Sequence, residues 1–167
     1  DEVGQQYEKG VLFLPQLLAS ADAAKACFER VRAHLQASGA DKGPSRGRIL
    51  MATVKGDIHD IGKNIVKVVL ENYGYEVIDL GRDVPVQTVV EAARETKAPL
   101  VGLSALMTTT VASMKETIEA LKAAGLGCRT MVGGAVLTQE YADEMGADFY
   151  AADVQASVAI AREVFGA

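Results

Sequence analysis

The chain places two aspartates around one of its two histidines, in the sequence VKGDIHDIGKN at residues 54–64. Asp57, His59 and Asp60 follow an apolar run and precede an amphipathic stretch, which puts them in a loop between two elements. A neutral imidazole is a good single ligand for a transition metal when a partner such as a carboxylate holds its other ring nitrogen. Spacing alone favours a simpler interpretation, in which Asp57 and Asp60 cap the helix that begins near Gly62 and His59 is solvated.

The elements around this loop alternate between apolar runs and amphipathic stretches. The apolar runs predict five strands, and an amphipathic helix follows each: RILMATV (48–54), YEVIDLG (75–81), APLVGLSAL (98–106), CRTMVGG (128–134) and ADFYA (147–151). Five such alternations predict an α/β fold, with a five-stranded parallel doubly wound sheet of the flavodoxin or Rossmann-like type. Ligands of such sheets bind beyond the carboxyl ends of the strands, where the loop with His59 lies.

A helical segment precedes this α/β pattern. Apolar residues on one side predict a helix over residues 14–37, and the glycine-rich, charged residues that follow predict a linker. We therefore expect three parts: residues 1–40, a linker at residues 41–47, and an α/β domain at residues 48–167. The sequence has no initiator methionine and begins as DEVGQQYEKG, so we expect a fragment of a longer polypeptide.

The composition argues against several partners. The net charge is −5, and the 17 lysines and arginines form no block, which excludes the concentrated positive charge that nucleic acids and anionic membranes require. Cys27 and Cys128 are far apart and read as reduced thiols of a cytoplasmic protein. The sequence shows no secretory signal and no apolar run of membrane length.

Several catalytic chemistries lack the residues that they need. A hydrolytic zinc site requires about three protein ligands. The second histidine, His34, lies in the helical segment before the α/β domain and is not expected to join His59 in such a site. No GxGxxG or GxxxxGK[ST] loop follows the first strand. A phosphoacceptor domain would have an aspartate at the end of the third strand, where this chain has Ser104. If His59 binds a metal as its one protein ligand, that metal must arrive already held in a macrocycle.

Three motifs together give the chain a family resemblance. GDIHDIGKNIV, GLSALMTTT and VGGA resemble the cobalamin-binding domains of the methionine synthase type. That family has Asp-x-His-x-x-Gly, then Ser-x-Leu, then Gly-Gly, which are matched here by Asp57, His59 and Gly62, by Ser104 and Leu106, and by Gly133 and Gly134. The leader VGQQYEKGVLFLPQLLASA (3–21) is similar to the end of that family's helical cap, which covers the upper face of the corrin.

The resemblance implies roles for individual residues. His59 would be the axial metal ligand in place of the dimethylbenzimidazole tail, Asp57 would hydrogen-bond its other nitrogen, and Thr110 would continue this catalytic relay. Tyr7, Leu14 and Leu17 of the cap would lie over the methyl group. The slot for the nucleotide tail would be lined by Gly102, Ser104, Thr108, Gly133, Gly134 and Ala135. The remaining cofactor-binding residues would be Gly56, Ile58, Asp60, Gly62 and Leu106.

The implied function is to carry a methyl group on cobalamin, as methylcobalamin and cob(I)alamin. As a module of a methyltransferase of the methionine synthase type, the chain would serve a methyltetrahydrofolate module and a homocysteine module, with a reductive activation partner, and would not turn over alone. The alternative is a stand-alone corrinoid protein of a methylamine, methanol or methoxyarene methyltransferase system. An adenosylcobalamin light sensor would need a DNA-binding unit and usually a cap tryptophan, both absent, and mutase chemistry does not suit a cap.

Overall fold

The computed structural model describes residues 45–166 continuously and, before them, residues 6, 11, 13, 15, 16, 19, 20, 23, 26, 27, 30 and 34. The chain divides into two compact units, residues 1–42 and residues 43–167. In the first unit, every described position from 15 to 34 is helical, in agreement with the helix predicted over residues 14–37. Among the residues described, no helix is long and apolar enough to cross a membrane.

The second unit alternates strands and helices as predicted, which confirms the α/β fold. Its elements are β1 (Arg48–Thr53), α1 (Ile61–Asn72), β2 (Glu76–Asp79), α2 (Val86–Thr96), β3 (Leu100–Ser104), a 3-10 turn (Thr108–Thr110), α3 (Val111–Ala123), β4 (Arg129–Gly133), α4 (Gln139–Glu144), β5 (Phe149–Tyr150) and α5 (Val154–Phe165).

The five strands form one parallel sheet in the order β2-β1-β3-β4-β5, which is the predicted flavodoxin-like order. Helices α1 and α5 pack against each other on one face, and α2 and α3 pack against each other on the other. The central strands are therefore covered on both faces, which explains their continuous apolar runs. Ile49 and Leu50 of β1, for example, point to opposite faces and are both fully buried.

The strand order places a switch point between β1 and β3. From β1 the chain goes to β2 on one side, whereas β3 continues to β4 on the other, so the loops after β1 and β3 diverge and leave a crevice at the carboxyl edge. The loop after β1 (residues 54–60) carries the histidine motif, and the loop after β3 (residues 105–107) leads into the 3-10 turn.

The strands are shorter than their apolar runs. Val54 leaves β1 and forms only an isolated parallel bridge with Val84, and β5 contains two residues where five were predicted. The ends of these runs belong to loops: beside β5, for example, the amide of Thr130 donates to the side chain of Asp148 instead of to a backbone carbonyl.

Candidate functional site

Asp57 lies at the centre of the site, immediately beyond β1, and its side chain is fully buried. Its Oδ1 accepts hydrogen bonds from the amide of His59 at 3.0 Å and from His59 Nδ1 at 2.8 Å. Its Oδ2 accepts from the amides of Leu106 and Met107 at 2.7 and 3.3 Å and from Thr110 Oγ1 at 2.8 Å. One carboxylate thus joins the loop after β1 to the loop and the turn after β3.

These hydrogen bonds determine the charge of Asp57. Burial by itself would raise the pKa of the carboxyl group, but the donors from His59, Leu106 and Thr110 outweigh burial and hold the pKa well below its usual range. Asp57 is therefore a buried carboxylate that stays ionised, with its charge balanced by donors instead of by a lysine or an arginine.

The carboxylate in turn determines the tautomer of His59. An ionised carboxylate can only accept hydrogen bonds, so the 2.8 Å contact requires the ring proton on Nδ1. The lone pair of Nε2 is then free to bind a metal. The side chain of His59 is 45% exposed, which leaves this nitrogen accessible at the carboxyl edge of the sheet.

The helix-cap interpretation of this motif is wrong. Asp60 occupies the N-cap position of α1, but its side chain accepts no hydrogen bond from the first turn, and Asp57 bonds elsewhere. Asp153, by contrast, caps α5 by accepting a bond from the amide of Ala156 at 2.8 Å.

Backbone contacts hold the loop after β1 in place. The amide of Gly56 donates to Asp83 Oδ1 at 2.7 Å, and the amide of Asp83 donates to the carbonyl of Asp57 at 2.9 Å. Gly56 has φ +84°, a left-handed conformation that favours glycine. Thr53 Oγ1 donates to the carbonyl of His59 at 3.3 Å. The loop after β1 is thus tied both to β1 and to the loop after β2.

The hydroxyl of Thr110 has one proton and two acceptors within reach. Its Oγ1 lies 2.8 Å from Asp57 Oδ2 and 2.8 Å from the carbonyl of Met107, and a hydroxyl group can donate to only one of them at a time. The side chain of Thr110 is buried, so no solvent competes for this proton.

A cavity of about 420 Å³, which we call the tail cavity, lies on the face of the sheet that α1 and α5 cover. Its volume falls within the range of about 300–1,000 Å³ that is typical of small-molecule sites. Of the predicted slot residues, five line this cavity and Thr108 does not, because it lies exposed in the 3-10 turn. The five are Gly102, Ser104, Gly133, Gly134 and Ala135. Gly62, which was predicted as a contact outside the slot, lines the cavity as well.

The other predicted contact residues lie outside the tail cavity, in the loops around His59. Ile58 and Leu106 are apolar yet 61% and 41% exposed, so they present hydrophobic surface beside the imidazole. Gly56 is exposed and Asp60 half-buried in the same loop. Tyr7, Leu14 and Leu17, predicted to cover the methyl group, lie outside the described residues.

Gly134 allows the loops after β3 and β4 to approach closely. A Cβ atom at this position would lie 1.8 Å from the carbonyl oxygen of Ala105, and φ is +144°. A Cβ atom on Gly133 would lie 3.1 Å from the carbonyl oxygen of Ala151. The Gly-Gly pair therefore has a steric reason, which an ordinary turn would not require.

The cavity wall contains a buried ion pair that the sequence reasoning missed. Lys63 is 3% exposed and lines the tail cavity, and its Nζ donates to Asp79 Oδ1 at 2.5 Å. Lys67 Nζ lies 3.4 Å from the other oxygen. Burial alone would raise the pKa of Asp79, but Lys63, together with the amide of Gly81, holds it below its usual range. The spacing of the two lysines, four residues apart on α1, was the one available signal.

The fold and the site define a class of protein: a parallel α/β domain that offers one imidazole nitrogen at its carboxyl edge beside a ligand-sized cavity. In the part of the chain that the structure describes, no group of three or more histidine, cysteine, aspartate or glutamate side chains could hold a metal ion. A family model described as B12 binding domain matches residues 47–159, and a second with the same description matches residues 1–32. The chain belongs to the B12-binding domain family, and its cofactor is a corrinoid.

Individual relatives agree with this assignment. The chain is 47% identical over 166 residues to dimethylamine corrinoid protein 2 of Methanosarcina mazei, covering 98% of this chain and 77% of that protein. It is similar to the solved monomethylamine corrinoid protein of Methanosarcina barkeri, with a TM-score of 0.77, 33% identity and coverage of 96% of this chain and 76% of that one. It also resembles a chain of the methanol:cobalamin methyltransferase complex from Methanosarcina barkeri, with a TM-score of 0.72, 34% identity and coverage of 98% and 62%.

The residues present fit a corrinoid. A single neutral nitrogen donor suits a metal whose equatorial positions a macrocycle already fills, and the tautomer that exposes this donor is held by Asp57. The tail cavity, whose lining includes four glycines, has room for an aromatic base.

Proposed function

We propose that this chain holds a corrinoid, with the nucleotide tail in the tail cavity and His59 Nε2 as a ligand of cobalt, and that it carries a methyl group within a methylamine methyltransferase system. The observation that carries the proposal is the 2.8 Å bond between His59 Nδ1 and the buried carboxylate of Asp57. A solvated loop histidine would have no need of a fully buried acceptor.

The comparisons support this alternative better than a module of methionine synthase. Relatives that are 47% identical to the chain are named as dimethylamine and trimethylamine corrinoid proteins. Nothing in them supports the predicted folate and homocysteine partners. We propose instead that the partners are a methyltransferase that demethylates an amine, a second methyltransferase that receives the methyl group, and a reductive activation protein.

The bound corrinoid supplies the cobalt centre that accepts and releases the methyl group. The chain's own residues would hold that centre and would fix the position of the ring proton of His59. Because the pKa of Asp57 lies well below its usual range, the carboxylate stays ionised and keeps the ring proton of His59 on Nδ1. A proton and a metal compete for the lone pair of Nε2, so His59 would hold the cobalt only as a neutral imidazole.

Replacement of His59 tests the axial ligand. We expect His59→Ala to keep the fold and bind methylcobalamin, but to lose the absorption bands of histidine coordination at all pH values. His34→Ala is the matched control, because it removes the chain's other histidine, which is exposed and helical. Identical spectra for His59→Ala and the unsubstituted protein would refute the assignment.

A methyl-transfer assay tests the partner class. Reduced holoprotein mixed with a dimethylamine methyltransferase and dimethylamine should acquire the spectrum of the methylated protein. Methyltetrahydrofolate with a folate-dependent methyltransferase should leave the spectrum unchanged. The opposite pattern would restore the methionine synthase role and overturn the methylamine proposal.

A further inference from the structure

Three residues form one row across the sheet beneath the tail cavity. Met51 of β1 is paired with Gly102 of β3, and Gly102 is paired with Met131 of β4. Paired residues of neighbouring parallel strands project from the same face, and all three line the cavity. We call this row the methionine floor.

The side chains of the methionine floor meet above the glycine. A Cβ atom on Gly102 would lie 3.3 Å from Met131 Cε and 3.5 and 3.7 Å from Met51 Cγ and Cε. Met51 and Met131 are 4% and 3% exposed, so their ends are held inside the protein. The inner end of the tail cavity is therefore made of two unbranched thioether side chains instead of rigid backbone.

Three polar side chains of the cavity wall have partners within the protein. Lys63 Nζ donates to a carboxylate of β2. The hydroxyl of Tyr150 donates to a backbone carbonyl at 2.8 Å, and that of Ser157 does so at 3.1 Å. Ser104 lies one row nearer the carboxyl edge than the floor, paired with Thr53. The floor itself therefore meets a ligand through apolar contact.

We propose that the methionine floor lets this chain accept corrinoids whose lower bases differ in size. The inference rests on the proposed function, in which the nucleotide tail enters the tail cavity. Methionine has three rotatable side-chain bonds and fills irregular space, so the floor can move to fit the base. A rigid apolar pocket discriminates by about 10- to 200-fold for each methylene group, whereas a floor that moves should discriminate less.

The test is a binding series in which only the base changes. The apoprotein is titrated with the methyl forms of cobalamin, of the 5-methylbenzimidazolyl cobamide and of the benzimidazolyl cobamide, which carry two, one and no ring methyl groups. Cobinamide, which has no nucleotide, is the fourth probe. We expect the dissociation constants of the three cobamides to lie within about 10-fold of one another, below the discrimination of a rigid pocket.

The matched variant stiffens the floor at nearly constant volume. Met51→Ile with Met131→Ile replaces each flexible chain by a β-branched one, which strands tolerate. In this variant we expect each added ring methyl group to change the dissociation constant by about 10-fold or more, with cobinamide binding unchanged. Met114→Ile is the control, because Met114 is buried on the opposite face of the sheet and should leave the series as in the unsubstituted protein.

The outcomes separate the floor from the site as a whole. The inference would be overturned if the dissociation constants of the three cobamides differed by more than about 100-fold in the unsubstituted protein. It would also be overturned if the double variant showed the same range of dissociation constants as the unsubstituted protein. Either result would leave corrinoid binding in place. An equal loss of cobinamide and cobamide binding in the double variant would also overturn it. Failure of all four probes to bind the unsubstituted protein would overturn the proposed function itself.

Discussion

Replacing Asp57 by asparagine should be among the most damaging single changes in the second unit. The carboxylate accepts five hydrogen bonds, two at Oδ1 and three at Oδ2. Asparagine keeps one acceptor oxygen, so its amide nitrogen must face at least two buried donors. Each donor left without a partner costs about 1–3 kcal/mol, which predicts a loss of about 2–6 kcal/mol from a total stability of about 5–15 kcal/mol.

Urea unfolding of the apoprotein measures this loss, with Asp60→Asn as the matched control. Asp60 is half-buried and its side chain makes no hydrogen bond with any described residue, so its replacement should change stability by less than about 0.5 kcal/mol. Equal effects of the two substitutions would refute the reasoning.

The same comparison has a pH dependence whose sign follows from the pKa of Asp57. The folded pKa lies below the usual value of 3.8, so the unfolded chain binds the proton first as the pH falls. The stability that Asp57 contributes is complete above that value and is lost as the pH falls through it towards the folded pKa. The difference between the unsubstituted protein and Asp57→Asn should therefore shrink below about pH 4; a constant difference between pH 3 and pH 7 would contradict the assigned charge.

Further changes should show the same dependence on local contacts in urea unfolding. Gly134→Ala should cost more than about 2 kcal/mol because of the close backbone carbonyl, whereas Gly62→Ala, with nothing within 4 Å, should be neutral or stabilising. Thr110→Val should lower the free energy of unfolding by about 1.5–3 kcal/mol because it removes a donor to a buried carboxylate. Thr110→Ser keeps the hydroxyl group and should retain most of that free energy. Lys63→Met should cost about 3–5 kcal/mol by leaving a carboxylate without its buried partner, and Lys67→Met clearly less; equal costs would contradict the geometry.

The strands could be predicted from sequence where both faces of the sheet are covered. Burial on two sides requires a continuous apolar run, which is why β1 and β3 were located to within a few residues. At the edge of the sheet the same rule fails. Only Phe149 and Tyr150 of the run ADFYA pair with β4 in register, and beside them the amide and hydroxyl of Thr130 donate to the side chain of Asp148 instead of to a backbone carbonyl.

From residue types and spacing alone, the site was predictable only where its members are close in sequence, and the contact of Thr110 with Asp57, 53 residues away, was expected only from the family resemblance. Asp57 and His59 are two residues apart, so a contact between them could be expected from the motif. The amides of Leu106 and Met107 are 49 and 50 residues away from Asp57, and nothing in their side chains indicates that their backbone groups bond to it. The methionine floor was missed for the same reason, because it depends on the register of three strands.

The bond from the amide of Leu106 to Asp57 has a consequence for motion. Loop amides usually exchange their hydrogen with solvent within local fluctuations that leave the core intact. This amide is in a loop, yet it donates at 2.7 Å to a fully buried group. Its exchange should be as slow as that of an amide in β1, and the two loops that flank the imidazole should open together as one cooperative segment.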